Sequence, residues 1–156
     1  MKSFSLFLLI AISFFCNSCK KNSGCTPVSP DVEDPQIVEY NIKNALNCQR
    51  YKNTVYYNAI DTGSGISPTI DSKVTVTYTA RYLNNKIFDA STVPINFKLS
   101  DVIEGWQIGL PLLKKGGRIL LIIPSAYAYG CNGNTNLSVP ENQILIYDIK
   151  LIDVIP

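Results

Sequence analysis

The 156-residue chain has no histidine, and it contains a single tryptophan, Trp106, and a single methionine. Without histidine, the chain cannot form a Ser-His-Asp triad, a Cys-His dyad or a histidine-ligated metal site. A thiol enzyme is also disfavoured, because a cysteine nucleophile needs an activating base or a lowered pKa. We therefore expect an activity that depends on the shape of a pocket, with no metal and no cofactor.

Charge is also scarce, since charged residues make up only 17% of the chain and the net charge is +2. Adjacent basic residues occur only at Lys20-Lys21 and Lys114-Lys115. Nucleic-acid binding, which needs a basic surface, is therefore not expected. The length and the 46% content of hydrophobic residues fit one globular domain with an N-terminal extension.

The first residues resemble an export signal. One lysine precedes an apolar run from Phe4 to Phe15, which is too short to span a bilayer comfortably but has the size of a signal-peptide core. Cys19 follows the small residue Ser18, so we expect residues 1–18 to be a signal peptide and Cys19 to be lipidated after cleavage. The protein would then be anchored in the bacterial cell envelope, in the outer membrane, on its periplasmic or surface face. An uncleaved anchor and an ordinary signal peptide are the alternatives.

Residues 19–53 are predicted to be a lipid-anchored tether that ends in a short helix beginning near Asp34-Pro35. Once the predicted lipidation site is set aside, three cysteines remain in this mature chain, namely Cys25, Cys48 and Cys131. In an oxidising compartment, an odd number predicts one disulfide and one free thiol. We favour a disulfide between Cys25 and Cys48, which would pin the tether to the extension. The alternative is that no disulfide forms.

From residue 54 onward, apolar and polar residues alternate with the period of half-buried strands. The six candidate strands lie at residues 54–60, 73–83, 86–91, 95–100, 118–124 and 143–155. Between the fourth and fifth, Asp101 and Glu104 have the spacing of a capping box, and Gly116-Gly117 is a helix stop signal. The pattern predicts an α+β domain in which a mostly antiparallel sheet wraps one short central helix.

Four segments in this order resemble the FKBP-type peptidyl-prolyl isomerases. They are VTVTYTARYLNNKIFDAS, VIEGWQIGLPLLKKGGR, IPSAYAYG and VPENQILIYDIKLIDV, and the resemblance runs from about Thr54 to Val154. It implies that residues 54–156 form the isomerase domain, with the family's fold of an antiparallel β-sheet half-wrapped around one short α-helix. This fold agrees with the pattern of strands and helix described above.

The resemblance also implies an aromatic cavity that accepts a prolyl ring, with Trp106 as its floor. The residues that would act on the substrate are Tyr78, Phe88, Asp89, Trp106 and Tyr129. The further substrate-binding residues would be Phe97, Val102, Ile103, Val139 and Tyr147. Asp89 would orient Tyr78, while the Tyr129 hydroxyl and the Ile103 amide would donate hydrogen bonds to substrate carbonyls. Tyr127, two residues before Tyr129, is expected to be structural.

The implied function is peptidyl-prolyl cis-trans isomerisation that assists the folding of exported or envelope proteins. Expected partners are proline-containing polypeptides and the membrane, and a monomer is the simplest expectation. Macrolide inhibitors of the family are further implied ligands. The chain departs from the family pattern in two places. Ile95 stands at a position that is often aromatic, which predicts a thinner wall. The loop between Tyr129 and Pro140 lacks the histidine often found there, which predicts weaker macrolide binding. The alternative is a non-catalytic module that binds proline-containing segments or a protein partner.

Overall fold

The computed structural model describes residues 24–156. The predicted signal peptide and the predicted lipidation site at Cys19 lie outside the described residues. Within the described range, no helix is long and apolar enough to cross a membrane. The same range contains no cluster of three or more cysteine, aspartate or glutamate side chains arranged to bind a metal ion.

Six strands of the described region form one antiparallel sheet with the order β1-β2-β5-β6-β3-β4. The strands are β1 Gln49–Arg50, β2 Tyr56–Asp61, β3 Lys73–Tyr82, β4 Ile87–Lys98, β5 Arg118–Ile123 and β6 Leu145–Ile155. Two α-helices accompany them, α1 Pro30–Lys43 and α2 Glu104–Gly109. The predicted α+β fold, with its antiparallel sheet and one short helix against it, is confirmed.

The sheet is covered on both faces. On one face, the alternating residues Leu145, Tyr147, Ile149 and Leu151 of β6 are buried in the main core, which also contains Trp106 of α2. On the other face, α1 forms a second core, whose buried residues are Ile37, Tyr40, Cys48, Tyr56, Leu120, Ile122, Ile144 and Ile146. Because helices cover both faces, β5 is apolar at nearly every position instead of alternating.

Helix α2 is shorter than its sequence signals predicted. It begins at Glu104 with Ile103 as its N-cap, so the predicted capping box at Asp101 is wrong. Asp101 instead lies in a preceding 3-10 turn, Leu99–Asp101, where its carboxylate accepts a hydrogen bond from Ser100. The α-helix ends at Gly109 and continues as a 3-10 turn, Leu110–Leu112, because Pro111 has no backbone N–H to donate.

The two glycines of α2 allow the helix to lie close to the sheet. A Cβ atom on Gly105 would lie 2.5 Å from the side chain of Ile123, and one on Gly109 would lie 2.6 Å from that of Leu121. Both of these β5 side chains are fully buried. The two glycines therefore allow α2 to approach β5 closely, and Trp106, which lies between them in the sequence, is buried in the main core.

Two other boundaries differ from the prediction. The candidate strands 86–91 and 95–100 form the single strand β4, and the pair Gln49–Arg50 supplies the sixth strand instead. The register between β3 and β4 shifts between Val76 and Tyr78, which disturbs the alternation along β4. The predicted helix of the extension is present, but it begins at Pro30, four residues before Asp34, since proline is favoured in the first helical turn.

The favoured disulfide between Cys25 and Cys48 is wrong. Cys25 is bonded to Cys131, with a Cα–Cα distance of 5.2 Å. Cys48 is a free thiol buried in the second core, where burial raises its pKa to about 11. Cys48 was favoured as a residue that would pin the tether to the extension, whereas the chain before α1 is joined to the loop between β5 and β6, which carries Cys131.

Candidate functional site

A cavity of about 500 Å³ opens where α2, three strands and one loop meet. Strands β3, β4 and β6 supply one side, the segment before α2 supplies a second, and the loop 124–144 between β5 and β6 supplies a third. The lining residues are Tyr78, Asp89, Ile95, Phe97, Asp101, Val102, Ile103, Trp106, Tyr129, Asn134, Leu137 and Tyr147. The volume is in the range of pockets that bind small ligands or single side chains.

Trp106 lies at the centre of the aromatic part of the lining and is only 3% exposed. Its indole makes edge-to-face contacts with Tyr78 and Tyr147, each with ring centroids 5.3 Å apart, and with Phe97 at 5.8 Å. Perpendicular contacts of this kind are favourable because the positive edge of one ring meets the negative face of another. Three strands therefore hold the indole in one orientation.

Asp89 brings an acidic group to this aromatic wall. Its carboxylate accepts a hydrogen bond of 2.7 Å from the hydroxyl of Tyr78. Tyr78 lies on β3, two residues before Ala80, the residue that pairs with Asp89. Burial raises the pKa of Tyr78, and the hydrogen bond and negative charge of Asp89 raise it further. The Tyr78 hydroxyl consequently remains protonated, and the carboxylate fixes the direction in which it points.

Tyr129 and Tyr147 place two more hydroxyl groups in the cavity. Burial raises the pKa of Tyr147, and nearby Tyr129 and Asp89 act in the same direction. Burial is also the main reason that the pKa of Tyr129 is raised, although the side chains of Tyr147 and Asn134 act against it. Both tyrosines are therefore neutral hydrogen-bonding groups at ordinary pH and not bases.

The structure brings most of the residues implied by the resemblance to this one cavity. Eight of the ten line it, namely Tyr78, Asp89, Phe97, Val102, Ile103, Trp106, Tyr129 and Tyr147. Phe88 does not. Its ring stacks on that of Tyr82, with centroids 4.7 Å apart, and lies perpendicular to the ring of Tyr147, with centroids 6.1 Å apart.

Val139 is the second implied residue that does not line the cavity. It is buried in the main core, and its backbone pairs with Asn134 through two hydrogen bonds of 2.8 Å. These bonds close the hairpin that carries Leu137 to the cavity. Tyr127, which was expected to be structural, packs against the main core and is absent from the lining.

The sequence analysis did not identify Asp101, Asn134 and Leu137 as lining residues. The amide oxygen of Asn134 accepts a hydrogen bond from the backbone N–H of Leu137, which forms a turn within the loop. Leu137 was detectable, because it is the one large aliphatic residue in the polar stretch GCNGNTNLS. Ile95, noted only as a departure from the family pattern, also lines the cavity.

Comparisons with known proteins agree with this architecture. A family model described as FKBP-type peptidyl-prolyl cis-trans isomerase matches residues 65–152. The FKBP-type isomerase FkpA of Escherichia coli is 39% identical over 103 residues, covering 64% of this chain and 37% of FkpA. The peptidyl-prolyl cis-trans isomerase Mip of Coxiella burnetii is 36% identical over 115 residues, covering 72% of this chain and 50% of Mip.

Solved structures extend the similarity beyond the matched segment. The crystal structure of FkpA from Escherichia coli has a TM-score of 0.71 and 33% identity, covering 81% of this chain and 61% of that one. A peptidyl-prolyl isomerase from Pseudomonas syringae has a TM-score of 0.69 and 28% identity, covering 84% of this chain and 99% of that one. The chain spans half or less of the length of the curated relatives FkpA and Mip.

Proposed function

Because the chain belongs to the FKBP-type peptidyl-prolyl cis-trans isomerase family, we propose that it catalyses cis-trans isomerisation of X-Pro bonds in exported or envelope proteins. The observation that carries this proposal is the 500 Å³ cavity built around Trp106. Its aromatic lining suits a prolyl ring, and the lining also includes tyrosine hydroxyl groups that would bind the flanking carbonyls of a peptide. Proline-containing polypeptides are the proposed substrates.

The proposed reaction needs no nucleophile and no cofactor. Rotation about an X-Pro amide has a barrier of about 18–20 kcal/mol because the twisted state loses resonance. A pocket that binds the twisted amide more tightly than either planar form lowers this barrier. The twisted amide is less polar than the planar one, so the indole of Trp106 and the rings around it favour it.

Polar groups at the rim would orient the peptide. The hydroxyl of Tyr129 is neutral and can donate a hydrogen bond to a substrate carbonyl. Ile103 is the N-cap of α2, where backbone N–H groups have no partner within the helix, so its amide is a second proposed donor. Asp89 would act indirectly by holding the Tyr78 hydroxyl in place. Phe97, Val102 and Tyr147 complete the proposed wall.

The proposed activity is tested with proline peptides that vary in the residue before proline. The protein would be the chain without residues 1–19, which keeps every residue that the structure describes. We expect acceleration of cis-to-trans conversion and its loss in Trp106→Ala, with Tyr129→Phe as a milder variant in case the first does not fold. Absence of acceleration by folded wild-type protein would reject the enzyme. Tight binding of the same peptides without turnover would identify the non-catalytic module instead.

We further propose that the protein is an exported monomer, anchored in the outer membrane through a lipid on Cys19. The apolar run of residues 4–15 supports export, and the Cys25–Cys131 disulfide supports an oxidising compartment. Residues 19–53 would be the anchored extension and residues 54–156 the isomerase domain. Replacement of Cys19 by serine should move the protein from the membrane to the soluble fraction, whereas Cys16→Ser should not. Retention of the Cys19 variant in the membrane would refute the lipid anchor.

A further inference from the structure

The N-terminal segment holds the loop that carries Tyr129 at two points. The first is Glu33 of α1, which is only 5% exposed. Its Oε2 atom accepts a hydrogen bond of 2.7 Å from the backbone N–H of Ser125, a residue with no exposed surface. The four ion pairs of the described region do not include Glu33. Burying a carboxylate without a cation is costly, so this hydrogen bond is the main compensation that the structure gives it.

The position of Ser125 makes this contact important for the cavity. Strand β5 ends at Ile123, and Ser125 begins the 3-10 turn that leads into the loop. Tyr129 follows four residues later and lines the cavity. The carboxylate of Glu33 therefore fixes the place where the chain leaves the sheet on its way to Tyr129.

The second point is the disulfide between Cys25 and Cys131. Cys131 lies two residues after Tyr129, in the 3-10 turn Gly130–Asn132. Tyr129 is thus flanked by two attachments, and both lead to the segment that precedes the sheet. A surface loop without such attachments samples more conformations than the sheet it connects.

From this arrangement we propose that Glu33 is a positioning residue for the isomerase site, and that it acts with the Cys25–Cys131 disulfide by holding Tyr129 against the cavity. This inference rests on the proposed function. Removal of either attachment would let the loop move, and the Tyr129 hydroxyl would then spend less time at the position that a substrate carbonyl requires.

The first test compares three variants of α1. In Glu33→Ala, the Ser125 N–H loses its acceptor, and we expect kcat/KM to fall about tenfold, less than the roughly 100-fold that a 1 Å misplacement can cost. In Glu33→Gln, the amide oxygen can still accept the hydrogen bond, so most of the activity should return. Glu39→Ala is the matched control, because Glu39 is an exposed glutamate on the same helix. All variants are compared at a temperature at which each is folded.

A double-mutant cycle with Tyr129→Phe separates positioning from a general loss of stability. If Glu33 acts through Tyr129, Glu33→Ala should lower kcat/KM much less in the Tyr129→Phe background than in the wild-type background. Equal losses in both backgrounds would overturn the proposal. The Cys25→Ser/Cys131→Ser pair should behave in the cycle as Glu33→Ala does.

Amide hydrogen exchange gives a readout that does not depend on activity. Glu33→Ala should accelerate exchange at Ser125 and at the amides that follow it up to Asn134, while Glu39→Ala should leave it unchanged. Unchanged exchange in Glu33→Ala would overturn the inference, as would unchanged kcat/KM in an active protein. If the wild-type protein does not accelerate isomerisation at all, the proposed function itself fails, and that result is distinct from either of these.

Discussion

Reduction of the Cys25–Cys131 disulfide should lower the free energy of unfolding by an amount that depends on the length of the loop that the bond closes. The two cysteines are 106 residues apart. In the chain-entropy description, a cross-link that closes a loop of this length lowers the entropy of the unfolded chain enough to stabilise the fold by about 4.7 kcal/mol. For the pair Cys25 and Cys48, which are 23 residues apart, the same relation gives about 3.4 kcal/mol.

The assay is urea unfolding of the chain without residues 1–19, with and without a reducing agent. We expect the wild-type protein to lose about 4–5 kcal/mol on reduction, at the upper end of what removal of native disulfides costs. Because the measured quantity is the difference between oxidised and reduced protein, any effect of a substitution on the folded core largely cancels.

Single substitutions then show which cysteines are bonded. Cys131→Ser should abolish the effect of the reducing agent, since the disulfide is already absent. Cys48→Ala should keep the effect, because the Cys48 thiol is free and buried in the second core. A reduction effect that survives in Cys131→Ser and disappears in Cys48→Ala would refute the pairing and, with it, the attachment of the N-terminal segment beside Tyr129.

Three further predictions follow from the site and its supports. Gly109→Ala should destabilise the protein by about 1–3 kcal/mol in urea unfolding, because the new Cβ would lie 2.6 Å from the side chain of Leu121. Gly24→Ala is the control, because a Cβ on Gly24 would have no atom within 4 Å. If Gly109→Ala is as stable as the wild-type protein, α2 does not approach β5 this closely. Asp89→Ala should lower kcat/KM about tenfold. Asp89→Asn should lower it less, because the amide oxygen can still accept the hydrogen bond from the Tyr78 hydroxyl. Equal kcat/KM in the wild-type protein and both variants would argue against the orienting role of Asp89. Burial raises the folded-state pKa values of Tyr78 and Tyr147, so their stabilising contribution is complete below about pH 10 and is lost as the pH rises through the folded values. In an absorbance titration, the hydroxyl groups of Tyr78 and Tyr147 should ionise only as the protein unfolds at alkaline pH. Ionisation of either group near pH 10 in the folded protein would contradict this prediction.

The part of the fold that the sequence predicted well is the part with regular periodicity. Along β6, Leu145, Tyr147, Ile149 and Leu151 form one stripe, and all four are buried in the main core. The sequence also predicted strands at 73–83 and 86–91, and β3 and the first half of β4 lie there. In both places, the local sequence pattern and the tertiary packing favour the same structure, so the sequence alone predicts it.

Prediction failed where a distant segment decided the structure. Asp101 and Glu104 have the spacing of a capping box, yet the chain forms a 3-10 turn there that packs Leu99 into the main core. The disulfide was missed for a similar reason, since Cys48 was favoured as a way to pin the tether to the extension, while the fold brings the Cα atom of Cys131 to 5.2 Å from that of Cys25. Glu33 gave no signal at all, because its partner is a backbone N–H 92 residues away.

The cavity shows the same division between local and distant causes. Residues on α2 and the strands, such as Trp106, Tyr78 and Tyr147, occupy the positions that the family resemblance implied. Asn134 and Leu137 were missed because a loop turn, and not a strand, directs them to the cavity. The loop is also the part of the lining that is attached to the N-terminal segment. The strands and α2 therefore fix the aromatic floor of the cavity, whereas the position of the loop also depends on the N-terminal segment that holds it.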